Sequence, residues 1–335
     1  NFGSLTIGAD GTYEATSGIT SILSSASNYA IDNGGTFTHN DGTVTIGPDA
    51  SNQWLKGSGT GAYYNLISDN SSSLGMGVGA DLVVDNDLTI NASKKLGFVG
   101  ASYDVTVTGS VLVSGNFTTS TTPTGDHTFG DLTIASGGEY IATSGQTVIT
   151  TGDFDNSGTF THNSGEFIFN GSATQNIQSA GTVEPTFYIL SNNKTAENIE
   201  VLKSITILYQ LNVGAYERYM RWNSGGSVVG TFGNATTQCT IENANRLLVS
   251  RTGTGPVKYY GGDELKPFLV SSGGSNHSAD LIQFKWGDMS GGDDTFTTQC
   301  NVTLDGDMKF AAFTVSSGDT CLLYTSDAAD DLLCV

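Results

Sequence analysis

One octapeptide constrains this chain more than any other feature. NGGTFTHN, residues 33–40, returns as NSGTFTHN at 156–163. It belongs to a long internal duplication. NFGSLTIGADGTYEATSG (1–18) matches TFGDLTIASGGEYIATSG (128–145) at 11 of 18 positions. Downstream, GTVTIG (42–47) answers GEFIFN (165–170), SNQWLKGSGT (51–60) answers ATQNIQSAGT (173–182), and YYNLIS (63–68) answers FYILSN (187–192). DLVVDNDLTINAS (81–93) answers SITILYQLNVGA (204–215) more loosely. The unit is therefore about 123–127 residues long, a period that points to stacked architecture rather than a closed globule. Two copies occupy 1–127 and 128–250, and 251–320 reads as a diverged, truncated continuation.

Inside the unit runs a shorter rhythm. Pieces such as Leu5-Thr6-Ile7, Thr36-Phe37-Thr38, Val44-Thr45-Ile46, Leu88-Thr89-Ile90 and Val105-Thr106-Val107 alternate apolar residues with Thr. Alternation with period two buries one face of a strand and leaves the other in water. The separators, GADG, DNGG, NDG and SGG, supply Gly and Asn, which tolerate the positive φ that sharp corners need. Very short strands and Gly/Asn-rich corners, without dominant two-residue hairpin signals, predict an all-β right-handed parallel β-helix. Each coil would take roughly 20–25 residues and bury its inward side chains against the coils above and below. An array of β-sandwich repeats is the alternative architecture.

Composition narrows the partners. The chain carries 13 Lys and Arg against 33 Asp and Glu, a formal net charge of −20. Phosphate neutralisation needs a basic footprint, so nucleic acid is not an expected partner. No apolar run approaches the roughly 18 residues of a membrane-spanning helix, and no membrane insertion is expected within this segment. The charged fraction of 14% and the wealth of Val, Ile, Thr, Phe and Tyr separate the chain from disordered sequences.

Residues 321–335, CLLYTSDAADDLLCV, break every preceding pattern: Gly and Asn vanish, and Leu, Asp and Ala take over. The run Cys321 to Asp330 reads as a translated sequencing adapter, TGT CTC TTA TAC ACA TCT GAC GCT GCC GAC, with an index-length interval before Cys334 and Val335. It is treated as a non-native tail and set aside from fold reasoning. Cys239 and Cys300 then remain, either as a disulfide pair or as two isolated thiols. No CxxC supports a zinc or redox site. The chain begins at Asn1 in mid-pattern and reads as a fragment of something longer.

The pattern G-T-F-T-H-N-x-G-x-[VF]-x-[IF], then a Gln-containing turn, then [YF]-Y-x-L, resembles repeats in large surface proteins of environmental bacteria and marine phages. Those repeats are similar in style to filamentous-haemagglutinin or autotransporter-type β-helix passengers. The resemblance covers most of 1–215 and the phrase FTVSSGDT at 313–320. It implies an extracellular, cell-surface or virion location and an adhesive or structural role. It carries over no catalytic residue.

Candidate chemistry is sparse. Phe37 and Phe160 are expected to plug the core, with Thr36, Thr38, Thr159 and Thr161 outward. His39 and Asn40, and His162 and Asn163, should sit at corners and hydrogen-bond the turn backbone. The two histidines occupy equivalent places several coils apart, too far to share one metal ion. Among the acidic pairs, Asp293 and Asp294 in SGGDDTF (290–296) are the best candidate for a Ca2+-binding turn. Calcium needs six to eight oxygens from a shaped loop, and neither EF-hand spacing nor the GGxGxDxUx nonapeptide is present. Solvated turn carboxylates are the reading adopted, with no cofactor assigned. YERYMRW (216–222) is the most unusual stretch. Tyr216, Tyr219, Arg221 and Trp222 are the candidate sugar-stacking or partner-binding group, set against an aromatic core strand. Thr-x-Thr pairs at 36/38, 43/45, 106/108 and 159/161 are too sporadic for an ice-binding array. The expected function is a non-enzymatic structural or adhesive segment of a large secreted or surface-exposed protein, presenting surfaces to glycans or other surface proteins. A phage tail fibre and a carbohydrate-active β-helix enzyme are the alternatives. The enzyme would need carboxylates paired at a set separation, which sequence does not reveal.

Overall fold

The computed structural model describes residues 1–212 except 24–28, 48–52, 74, 99, 101, 119–123 and 182, and beyond 212 the strand backbones between 220 and 324. The described elements are all β, and every pairing among them is parallel. Strands stack as a right-handed parallel β-helix. By packing, the chain divides into two compact units, 1–166 with 179–183, and 167–178 with 184–335.

The first unit shows three ladders. One face stacks Leu5–Ile7, Tyr29–Asn33, Gln53–Lys56, Met76–Val78, Lys95–Phe98, Asn116–Phe117, Glu139–Ile141 and Thr159–Thr161. A second stacks Thr12–Glu14 on Thr36–Thr38, continues through bridges at Thr60 and Tyr63, and runs on through Leu82–Val84. From there it takes the first halves of Val105–Val113 and His127–Ile134, then Gln146–Ile149. The third takes Ile19–Ile22, Thr43–Ile46, Asn65–Ser68, Leu88–Ile90, the second halves of the same two long strands, and Phe154–Asn156. Side-chain bonds between neighbouring coils span 20 to 27 residues, the length of one circuit.

Alternation places the core. Ile22, Ile46, Leu66, Leu88, Ile90, Val111, Val113, Leu132, Ile134 and Phe154 line the inner side of the third face, all fully buried. Each such side chain contributes about 1.5–3 kcal/mol on burial. Phe98, Phe117, Phe129 and Tyr140 fill the middle of the coil interior with ring centroids 5.2–6.2 Å apart.

In the second unit Gln175–Gln178 pairs with Ile199–Val201, which pairs with Met220–Asn223. Thr186–Asn192 pairs with Ile205–Asn212. Further along, Phe296–Thr298 pairs with Phe313–Val315 and Val302–Asp305 with Cys321–Tyr324.

Candidate functional site

The duplicated corner is a surface feature that both sequence and structure repeat. Its backbone pairing repeats in the second copy. Leu5, Thr6 and Ile7 face Ile31, Asp32 and Asn33, as Leu132, Thr133 and Ile134 face Phe154, Asp155 and Asn156. Tyr13 faces Phe37 as Tyr140 faces Phe160. Thr36 N–H donates to the Gly11 carbonyl and Thr159 N–H to Gly138, both at 2.9 Å. Gly42 N–H closes the turn on the His39 carbonyl at 3.1 Å, and Gly165 N–H on His162 at 2.9 Å.

Glycine is required at two places in each copy because backbone passes against backbone. A Cβ on Gly42 would overlap the Thr16 carbonyl oxygen, and one on Gly165 the Thr143 carbonyl oxygen. A Cβ on Gly35 would strike the Gly8 and Gly11 carbonyls, and one on Gly158 those of Ala135 and Gly138. The turn itself runs through left-handed φ at Asn40 (48°) and Asp41 (57°), and at Asn163 (46°) and Ser164 (58°). Asn is among the few side chains that accept that region.

The histidines bind this turn. Asp41 N–H donates to His39 Nδ1 at 2.9 Å, and Ser164 N–H donates to His162 Nδ1 at 2.9 Å. With Nδ1 accepting, the proton of neutral His39 lies on Nε2, which donates to Asp85 Oδ2 at 3.1 Å. The His39 ring also packs on Tyr64, centroids 5.2 Å apart. Both ring nitrogens of His39 are thus engaged. Partial burial lowers the His162 pKa, which keeps that ring neutral and its Nδ1 able to accept. Asn40 Nδ2 donates to the Ala15 carbonyl at 3.0 Å and to Glu14 Oε1 at 2.8 Å, tying the corner to the preceding coil.

Phe37 is buried, packed between Tyr13 at 5.7 Å and Tyr63 at 5.1 Å. Phe160 is half-covered, stacked on Tyr140 at 6.0 Å and edge-on to Phe154 at 5.3 Å. Thr36 and Thr38, and Thr159 and Thr161, are exposed. The Thr-x-Thr pairs scatter over all three faces: 36/38 on the second, 43/45 on the third, 159/161 on the first.

The duplication is not in phase with the coil. Leu5–Ile7 lies on the first face, whereas its counterpart Leu132–Ile134 lies on the third. Thr12–Glu14 lies on the second face and its counterpart Glu139–Ile141 on the first. The two histidine corners therefore project from different edges of the coil stack, separated around the axis as well as along it.

Of the other sequence candidates, Arg221 and Trp222 fall on Met220–Asn223, opposite Glu200 and Val201. Tyr216, Tyr219, Asp293, Asp294, Cys239 and Cys300 lie outside the described residues. Among the described residues no three His, Cys, Asp or Glu side chains come together as a metal site.

Several polar groups escape a reading of the sequence. Asp81, Asp104 and Asp126 form a corner ladder: Asp104 N–H donates to Asp81 Oδ1 at 3.0 Å, Asp126 N–H to Asp104 Oδ1 at 2.8 Å, and Gln146 N–H to Asp126 Oδ1 at 2.9 Å. Lys194, 1% exposed, donates from Nζ to the Ala173 carbonyl at 2.6 Å and to Gln175 Oε1 at 2.9 Å. Its counterpart in the first copy is Asn70, and the counterpart of Gln175 is Gln53, whose buried amide atoms have no partner. Trp54 lies outward over Gly77, with its ring 5.8 Å from Tyr29 and the Lys56–Asp32 ion pair beside it at 3.3 Å. With Gln53 and Leu55 turned inward, alternation puts Trp54 on the opposite side of the strand.

Fold and corner together define a parallel β-helix whose repeated polar residues are committed to holding turns. Comparison of the chain with protein families, characterised proteins and solved structures gives no match.

Proposed function

We propose that the chain is a non-enzymatic structural or adhesive segment of a large secreted or surface-exposed repeat protein. It acts as a stiff spacer whose lateral faces meet glycans or other surface proteins. The observation that supports this reading is the engagement of the polar side chains. His39, Asn40, Asp81, Asp104, Asp126 and His162 all hold backbone N–H or C=O groups of their own or the adjoining coil. A virion fibre uses the same spacer chemistry, and the choice between bacterial surface and virion rests on the genes around it.

Small-angle scattering of the whole 335-residue chain tests the spacer. A compact globule of this length has a radius of gyration of about 20 Å. A markedly larger value, with the cross-section signature of a rod, is the expected result. A value near that of the globule would remove the reading. Glycan-array binding of the same chain tests the adhesive part separately, and hydrolysis or elimination of any arrayed polysaccharide would replace it with the enzyme.

A further inference from the structure

His127 sits where no ionised group can be satisfied. It is fully buried, on the inner side of the second face, with Val105 and Thr147 as its neighbours in the ladder. Four aromatic rings enclose it: Phe117 at 5.3 Å, Phe98 and Phe129 at 5.6 Å, and Tyr140 at 5.9 Å. Nδ1 lies 2.8 Å from Tyr140 Oη, which lies 3.0 Å from Thr147 Oγ1. Nε2 has no partner at all.

The most favourable arrangement has Nδ1–H donating to Tyr140 and the Tyr140 hydroxyl donating to Thr147. A bare lone pair at Nε2 then faces the rings, which costs less than a stranded N–H. A proton added at Nε2 would create a donor and a full charge with no acceptor. The groups packed around the ring offer no counter-charge. Val105, Phe98, Phe117, Phe129 and Thr147 are neutral, and among the described residues Tyr140 is the one titratable side chain in contact. The carboxylates of Asp104 and Asp126 are outside, committed to backbone N–H groups. Cation–π attraction to four rings offsets only part of the desolvation of a buried imidazolium.

We propose that His127 makes these coils an acid-sensitive gate: at low pH the interior between Phe98 and Ile149 opens, and the proton taken up at Nε2 holds it open. Burial pushes the His127 pKa down to about 3 in the closed state, from an ordinary value near 6.5. The sign follows from linkage. A depressed folded-state value means the opened state binds more protons between these two values, so stability is complete above about 6.5 and is lost as pH falls towards 3. Opening exposes Phe98, Phe117, Phe129 and Tyr140 together, a fresh aromatic surface in an otherwise acidic, polar exterior.

Hydrogen exchange measured from about pH 7.5 to 4.5, corrected for intrinsic rates, tests the gate. The amides of Val105–Val107, His127–Phe129 and Thr147–Ile149 should lose protection about tenfold per pH unit below about 6.5. The amides of Ile19–Ile22 and Thr43–Ile46 serve as the reference. His127→Phe should flatten the local response, and an unchanged slope in that variant overturns the proposal. If His127→Phe does not fold, histidine-selective NMR of the native chain decides. A closed-state ring that titrates near its ordinary value overturns the gate, and one that stays neutral down to the onset of opening supports it.

Discussion

At Gly42 a methyl group would have to share space with the Thr16 carbonyl oxygen, and at Gly165 with that of Thr143. The preceding coil's backbone cannot retreat without losing the bond from Thr43 N–H to the Gly18 carbonyl, or from Glu166 N–H to Gly145. Gly42→Ala and Gly165→Ala should each destabilise by about 2–3 kcal/mol, as overpacking against fixed atoms does. Gly8 is the control, because a methyl group there would meet nothing within 4 Å: Gly8→Ala should change stability by no more than about 0.5 kcal/mol. Urea midpoints of the three variants measure both. The contrast explains which letters of the octapeptide and its flank are spelled twice. Gly35 and Gly42 remain Gly as Gly158 and Gly165, while Gly8 has become Ala135 in the second copy.

Elements carry the next level of cost. Phe117 belongs to a two-residue strand, yet its ring touches Phe98, His127, Phe129 and Tyr140. Phe117→Ala should cost about 3–5 kcal/mol, the range for a large core aromatic, and thermal melting would show a loss out of proportion to the strand's length. A gentler electrostatic effect runs along the outer edge of the third face. Asp131 accepts a hydrogen bond from Ser110 Oγ at 2.8 Å, but its pKa is raised, first by desolvation and then by the charges of Asp87 and Asp153. A raised folded-state value favours the protonated form, so this site's contribution is present at low pH and is lost as pH rises through that value. Asp153→Asn should let Asp131 ionise at lower pH, read by carboxyl NMR; an unshifted titration would rule out Asp153 as a cause.

Sequence carries much of this level and misses the rest for a definable reason. Short alternating strands, Gly/Asn corners and the inward Phe37 follow from local chemistry and are legible. Partners set by stacking are not. Asp85 meets His39 from 46 residues away, and Tyr64 reaches the same ring, because circuits of the coil bring them there. His127 alternates with Phe129 in HTF, a pattern that marks an inward ring, but its aromatic enclosure depends on Phe98 and Phe117 from preceding circuits. Phe160 shares its octapeptide with Phe37 yet is less covered, because the side chains around each copy differ.

For the whole molecule, the phase of the duplication governs what the surface can do. The second copy begins one face back from where the first began, so identical letters are displayed in different directions. The paired corners cannot grip one flat partner side by side. Cysteines placed at Thr38 and Thr161 and spin-labelled should report a distance that includes displacement across the coil as well as along it; a separation equal to the axial stack alone would contradict the ladder assignment. A chain extended by more copies of the unit would carry any decoration around the axis like the thread of a coarse screw. The fourth copy would be the first to point the same way as the first. A planar surface would then meet every third copy, while partners scattered in solution would find the same decoration from any bearing.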